Sequence, residues 1–400
     1  MRRADRAGRA HVAWIVPAFP RDDADPLLPY WGPMAEAVAA SVDLDIVTLR
    51  FPSAMPSYNR GGAVVHPLAQ GHVRLRRSPR LWAAALNRLR LLHRRRPLQV
   101  IHALHGNEAG FLGSLASRLL GVPLAVHLGG GETVGFADLG YGSQAFAVER
   151  WQVGLALRRA SRITVGSRIQ GQLASRLLPD PASTTRRGQV VLAPVGIRLA
   201  PFLARRPVQP VLSRPIRLVS VAEINAVKDH ATLLRAARPW LMALPGLRLV
   251  LVGGGPGLAG LRRLADRLGI ADRLSWHGQI PNPAIPVVLG DGTVFVHAAR
   301  HEAQGLALIE AAAAGLPIAS TTVGVAAELP PRGLAAAAPG DVDGLSAAIG
   351  QALAWALAPD APSRSAALRA AVARFDLPAA AGAWLALYAA MGAGSGHDVH

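Results

Sequence analysis

Four hundred residues, 51% of them hydrophobic, can bury two substantial cores, so two domains of ordinary size are expected. The absence of cysteine excludes disulfides and thiolate metal sites, is compatible with a cytoplasmic setting, and is joined by no clustered His/Asp/Glu pattern that would hold another metal. The net charge of +18 is uneven, with 26 basic against 12 acidic residues in 1–200 and 17 against 13 in 201–400, so the first half is the one expected to meet an anionic surface or ligand.

The first half alternates short apolar runs with longer helical stretches, as parallel α/β units do. Arg2-Arg3 followed by Val12–Val16 faintly suggests a secretory leader. Pro17, Pro20, Arg21, Asp22 and Asp23 interrupt it before any small-residue cleavage site, so it reads as a first buried strand. Further strands are expected at Leu44–Thr48, Val100–Ala103, Leu124–Leu128, Ile163–Val165 and Val190–Ala193, with a helix at Gly110–Leu120. No acidic residue lies between Asp45 and Glu108, where Arg74, Arg76, Arg77, Arg80, Arg88, Arg90, Arg94, Arg95 and Arg96 crowd together. Trp82, Leu86, Leu89 and Leu92 recur there at helical spacing. This is a basic amphipathic helix, either docked on its own domain or resting on anionic lipid headgroups. No aromatic-rich strand or zinc finger supports nucleic-acid binding. His102, His105, Asn107 and Glu108 read as a polar loop after one strand. His127-Leu-Gly129-Gly130-Gly131-Glu132 closes the next, and Ser167 borders the one after.

Pro201–Pro215 reads as a linker. The alternation restarts at Arg217–Val221 and repeats at Leu247–Val252, Leu274–His277, Val294–His297 and Pro317–Ser320. Two such halves imply two doubly wound domains, with ligand sites at the carboxyl ends of their strands. Leu377–Met391, containing Trp384 and Tyr388, is a terminal helix, and 392–400 a tail. No run of 18 or more uncharged apolar residues occurs, so no membrane span is expected.

The most informative stretch is Glu302-Ala-Gln-Gly-Leu-Ala-Leu-Ile-Glu310, closing at Gly315-Leu316-Pro317. Leu306 to Ala314 reads as a helix, so the preceding turn offers free amides and the positive end of a helix dipole, which favour a phosphate. Two carboxylates eight residues apart can reach hydroxyls on either side of it; a sugar and a ribose flanking a diphosphate fit. Lys228, in Val221-Ala-Glu223-Ile-Asn225-Ala-Val-Lys228, is the only lysine among 43 basic residues. Val252-Gly253-Gly254-Gly255-Pro256 is a glycine turn after a strand, and Trp276-His277-Gly278-Gln279 ends another.

In order and spacing these stretches resemble the retaining glycosyltransferases of family 4, whose motif runs Glu-x7-Glu. Here Ala303-Gln304 stand where the family has Gly-Phe, Val195 and Arg198 where it has Asn and Asp, and Glu223 where many relatives carry an Arg. The resemblance implies an α/β GT-B fold of two facing Rossmann-like doubly wound domains: 1–200 for the acceptor, 201–376 for the donor, with helix 377–391 crossing back to the first. It implies that Glu302 holds sugar hydroxyls, that Gln304, Gly305 and Leu306 hold the phosphate, and that Lys228 neutralises the diphosphate. Glu310 would hold the ribose, Asn225 and Gly254 would line the donor site, and Gly278 and Gln279 would lie near the base. His127 would sit by the sugar's hydroxyls, with Glu132, Gly130, Asn107 and His105 on the acceptor side. The Pro17–Pro26 loop, lacking the glycines many relatives have there, would shape the acceptor pocket. No metal or cofactor is implied, and no protein base is obligatory beside the acceptor, since the leaving diphosphate can itself take the acceptor proton. The implied activity is hexosyl transfer from a nucleotide-diphosphate sugar, with retention, to a lipid-linked, polysaccharide or small-molecule acceptor. Cell-envelope polysaccharide synthesis at the inner face of the cytoplasmic membrane would be one setting. Alternatives are a GT-B nucleotide-sugar epimerase and, favoured by Glu223, a weakened nucleotide-sugar-binding protein.

Overall fold

The central apolar runs of the sequence become strands buried on both faces, the environment that parallel sheets covered by helices impose, while the edge runs Val190–Leu192 and Leu274–Gly278 are only half-buried. The computed structural model describes residues 8–22, 28–53, 55–68, 79–178, 189–204 and 215–393. Asp23, Arg74, Arg76, Arg77, positions 205–214 of the linker stretch and 394–400 of the tail lie outside them. The chain divides into two units, Met1–Ile197 with Leu377–His400, and Arg198–Asp376.

The first unit runs β1 (His11–Ala18), α1 (Trp31–Ala39), β2 (Asp43–Phe51), β3 (Tyr58–Arg60), β4 (Ala63–Pro67), α2 (Pro79–Arg95), β5 (Val100–Leu104), α3 (Glu108–Leu120), β6 (Leu124–Leu128), α4 (Ala147–Arg159), β7 (Arg162–Val165), α5 (Arg168–Arg176) and β8 (Val190–Leu192). Its sheet has the order β3-β4-β2-β1-β5-β6-β7-β8, parallel except for the β3/β4 pair. The second unit begins with α6 (Ala200–Leu203) and continues through β9 (Arg217–Val221), α7 (His230–Ala243), β10 (Arg248–Val252), α8 (Leu258–Leu268), β11 (Leu274–Gly278), α9 (Ile285–Gly290), β12 (Val294–His297), α10 (Leu306–Ala314), β13 (Ile318–Thr321), β14 (Leu334–Ala337), α11 (Val342–Leu357) and α12 (Ala361–Val372). Its parallel sheet has the order β11-β10-β9-β12-β13-β14. The β3/β4 hairpin, α1 and β14 were not expected. β14 is Leu-Ala-Ala-Ala, without the β-branched residues that mark strands, and pairing with β13 forms it.

Helix α13 (Leu377–Ala393) is apolar over most of its surface and completes one face of the first sheet. Trp384 packs its ring 5.3 Å from Trp14 and 6.0 Å from Trp31, and its indole N–H donates to the carbonyls of Ala193 and Pro194. On the opposite face, Leu81, Ala85, Leu89 and Leu92 of α2 are buried in the core shared with β1, β5 and α3. The apolar stripe of this basic helix is therefore spent on its own sheet, leaving Arg80, Arg90, Arg94 and Arg95 outward. Of the residues read as a polar loop, His102 instead lies inside β5 and is fully buried, and Glu108 is tied to Arg50 and Trp82. Ser167 is buried as the N-cap of α5, accepting the Gln170 amide.

Tyr388 sits at the centre of the α13 contact, its hydroxyl accepting the Trp14 indole N–H at 2.9 Å and donating to His102 Nδ1 at 2.8 Å. Tyr388→Phe orphans a buried indole donor and a buried imidazole acceptor. It should lower the unfolding free energy by about 1–3 kcal/mol, read by urea unfolding; a change within experimental error would remove the bridge as a stabilising contact.

Candidate active site

In a doubly wound sheet the strand order reverses at one point, and the loops leaving the carboxyl ends of the two strands there diverge to opposite faces, opening a crevice. In the second unit this point lies between β9 and β12. The turn after β9 carries Lys228, and the turn after β12 carries Glu302. The Lys228 ammonium lies 2.5 Å from Glu302 Oε1, and His297, the last residue of β12, reaches the same oxygen from Nε2 at 3.0 Å. Burial alone would raise the Glu302 carboxyl, but Lys228 and His297 outweigh it and hold it far below the usual carboxylate range. Among the described residues no hydrogen bond reaches the other oxygen, Oε2. Sequence reasoning brought Lys228 and Glu302 forward but counted His297 only as a strand end. The available signal was a polar residue closing a Val-Phe-Val run five positions before Glu302.

Local structure fixes these positions. Asn225 caps the single turn Ala226–Lys228, its Oδ1 accepting the Lys228 amide, while its side-chain amide donates to Glu223 at 2.9 Å. Glu223 is exposed, and Asn225 uses its side-chain carbonyl and one of its two amide N–H groups within this turn. The Arg300 amide donates to the Val227 carbonyl, lacing the β12 turn to the β9 turn. Gly305 stands at the start of α10 with φ +87°, a left-handed conformation that glycine adopts without strain, and no side chain caps the helix. The first amides of α10, those of Leu306 and Ala307, have no carbonyl one turn back within the helix. Gln304 is buried and its carbonyl accepts the Val325 amide.

Glu310 follows on α10 without joining the Lys228 cluster. Although it keeps partial solvent contact, burial with no donor among the described residues pushes its carboxyl up to about 8. The glycine turn after β10 is a junction. A Cβ on Gly253 would lie 1.9 Å from the Ala222 carbonyl, and the Gly254 carbonyl accepts the Ile224 amide. Gly278 accepts the Gly253 amide at the end of β11, and Gln279 is exposed. Among the described residues, none of Gly254, Gly278 and Gln279 is hydrogen-bonded to Lys228 or Glu302.

The first unit reverses between β1 and β5. Directly after β5, His105 adopts φ +101°, rare for a side-chain-bearing residue, and donates from Nδ1 to Glu132 Oε1 at 2.8 Å. Glu132 is buried and also accepts the amides of Gly106 and Gly130. Burial would raise it, yet His105, its own amide and the Gly130 amide bring it down to about 2; Glu132 in turn raises His105 against the opposing effect of burial. Asn107 precedes α3 without capping it. His127 ends β6 as the last member of a buried relay. The Trp14 indole can only donate, and among the described residues His102 Nδ1 is the acceptor within reach of the buried Tyr388 hydroxyl proton, so the hydroxyl donates to it. His102 Nε2 then donates to Thr164, and Thr164 donates to His127 Nδ1 at 3.0 Å. His127 thus carries its proton on Nε2. Burial, with His105 nearby, lowers its pKa to about 3, so it is a neutral hydrogen-bond donor.

A family model described as glycosyl transferases group 1 matches residues 204–366, and one described as glycosyl transferase 4-like domain matches residues 28–196. The chain is 30% identical over 241 residues to the 2-deoxystreptamine N-acetyl-D-glucosaminyltransferase of Streptomyces fradiae; the match covers 56% of this chain and 54% of that protein. The chain thus spans about half the length of that curated relative. Its fold is similar to sucrose-phosphate synthase from Thermosynechococcus elongatus, with a TM-score of 0.77 at 22% identity over 96% of this chain and all of that one. It is also similar to Anabaena HepE in complex with UDP-glucose, with a TM-score of 0.66 at 16% identity over 94% and 99%.

The raised Glu310 carboxyl makes a pH prediction. The folded state binds its proton more tightly than the unfolded chain, so stability falls as pH rises from the ordinary glutamate value through about 8. Glu310→Gln should leave Tm unchanged near pH 4.5 and raise it relative to the parent at pH 8, followed by thermal unfolding across that range. Parallel Tm profiles would mean the carboxyl is not desolvated.

Proposed function

The chain belongs to the group 1 glycosyl transferases, and from that premise we propose that it moves a hexosyl group from a nucleotide-diphosphate sugar to a hydroxyl acceptor with retention of configuration. The observation that carries this reading is Glu302 at the strand-order reversal of the second unit. Its Oε1 is held by Lys228 and His297 while Oε2 is open, next to an uncapped helix start. A carboxylate with one open oxygen suits sugar hydroxyls, which donate to it. The amides at the start of α10 and the Lys228 ammonium suit a diphosphate, whose negative charge grows as the bond to the sugar breaks. HepE was solved with UDP-glucose, which supports a donor of that class. Glu310 then holds the ribose, and its ionisation on binding releases a proton.

His127 offers Nε2–H to a sugar hydroxyl and, being neutral with a low pKa, does not serve as a base. Retention accords with this. The departing diphosphate takes the acceptor proton, and the protein's part is to position both partners and stabilise charge. The His105–Glu132 pair and Asn107 serve the acceptor. The Streptomyces relative is named for 2-deoxystreptamine, so a small aminocyclitol or polyol is the first acceptor class to test, ahead of lipid-linked or polysaccharide acceptors. The lone Glu223, engaged with Asn225 and exposed, does not crowd the Lys228–Glu302 contact, which favours the transferase over a weakened binding protein.

Among the described residues no helix is long and apolar enough to cross a membrane. Association with anionic lipid would rest on the arginine face of α2. Liposome flotation should then show recovery that depends on anionic lipid and falls with salt; equal recovery without anionic lipid would remove this role. The central test is Glu302→Gln. It should cut transfer, or slow hydrolysis of the donor without acceptor, about 100-fold or more while leaving the far-UV spectrum intact. Undiminished turnover would overturn the assignment, and inversion seen by NMR of the first-formed product would overturn the stereochemical part.

A further inference from the structure

Two donors meet one oxygen of Glu302, and they differ in how firmly they are held. Lys228 sits at the end of a four-carbon stem on a single helical turn, with its side chain 21% exposed. His297 is fixed by the central strand β12, its side chain only 2% exposed and its ring stacked on Phe295 at 6.2 Å and 17°. Because a carboxylate only accepts, His297 must donate from Nε2.

A diphosphate carries more negative charge than a carboxylate and would draw the Lys228 ammonium toward itself. If Lys228 were the sole partner, that movement would leave Glu302 a desolvated, unpaired carboxylate, which protein interiors tolerate poorly. It would then turn, or take up a proton, at the moment it is needed to accept sugar hydroxyls. We propose that His297 is a positioning residue for the donor sugar, its Nε2–H holding Glu302 Oε1 in place while Lys228 turns to the diphosphate, so that Oε2 stays open to the sugar. This rests on the roles given to Lys228 and Glu302 in the proposed function.

A further titratable group near His297 is His230, the first residue of α7 and 4% exposed. Burial, His297 and Lys228 keep it neutral, with a pKa lowered to about 4. Its Nδ1 has no hydrogen-bond partner, and His230 makes no hydrogen bond to Glu302, among the described residues. Among the described residues Lys228 remains the one other group bonded to that carboxylate.

The test compares the full chain with His297→Ala and His297→Gln. Each is assayed at about pH 7 for sugar release from UDP-glucose, UDP-N-acetylglucosamine and GDP-mannose, with kcat and KM read separately. In His297→Ala the Glu302 carboxylate loses the donor that stays when Lys228 turns to the diphosphate, so kcat should fall about tenfold or more, a larger change than the rise in KM. The side-chain amide of His297→Gln can donate to the same oxygen and should restore most of kcat. An unchanged kcat in His297→Ala overturns the proposal, and so does equal impairment of the two variants, which is what loss of packing alone would produce. A wild-type chain that releases sugar from none of the three donors would instead overturn the functional reading, and the role of His297 with it.

Discussion

The second unit is organised around one constraint: a carboxylate kept charged where water is scarce. Glu302 bears the desolvation cost of its position only because two donors converge on Oε1, one from the turn after β9 and one from the end of β12. The local architecture serves that convergence. Asn225 caps the turn that delivers Lys228, the Arg300 amide ties the two turns together, and Gly305 lets the chain leave Glu302 and start α10 at once. Glu310, eight residues on and without a donor, shows the alternative: burial alone pushes a carboxyl the other way. The same residue type in one short segment is thus prepared for two protonation states by its neighbours.

The first unit solves a complementary problem, that of presenting imidazoles of defined character. His105 is paired with a buried carboxylate and its basicity rises, whereas His127 sits at the end of a neutral relay and its basicity falls. The relay takes its direction from the Trp14 indole, which has only a proton to give. Helix α13 therefore does more than close the core. Through Tyr388 it sets which nitrogen of His127 carries hydrogen, three side chains away.

Much of this was legible in the sequence because it is local. The bounds expected for Leu124–Leu128, Arg217–Val221, Val294–His297 and the helix Leu306–Ala314 are those observed, since apolar runs punctuated by glycine and proline report strand and helix lengths directly. The Glu302 turn and Lys228 were legible too, through their place after strands and through the scarcity of lysine. The β3/β4 hairpin and the alanine strand β14 were not, because their pairing partners rather than their own residues make them strands. The apolar stripe of α2 was legible as a stripe, but not which surface would cover it.

By itself the sequence determined the two alternating α/β halves, the order of the motif residues and the chemical types available to hold a phosphate and hydroxyls, because these follow from spacing along the chain. Tertiary structure decided which of those residues share an atom. Lys228 and Glu302 are 74 positions apart, and Tyr388 and His102 are 286 apart. It likewise gave His297 a part in the site, set the opposite shifts of Glu302 and Glu310, and consigned Asn225 to a cap. Protonation state and hydrogen-bond direction depend on burial and on partners brought from distant strands, and no periodicity within a segment encodes them.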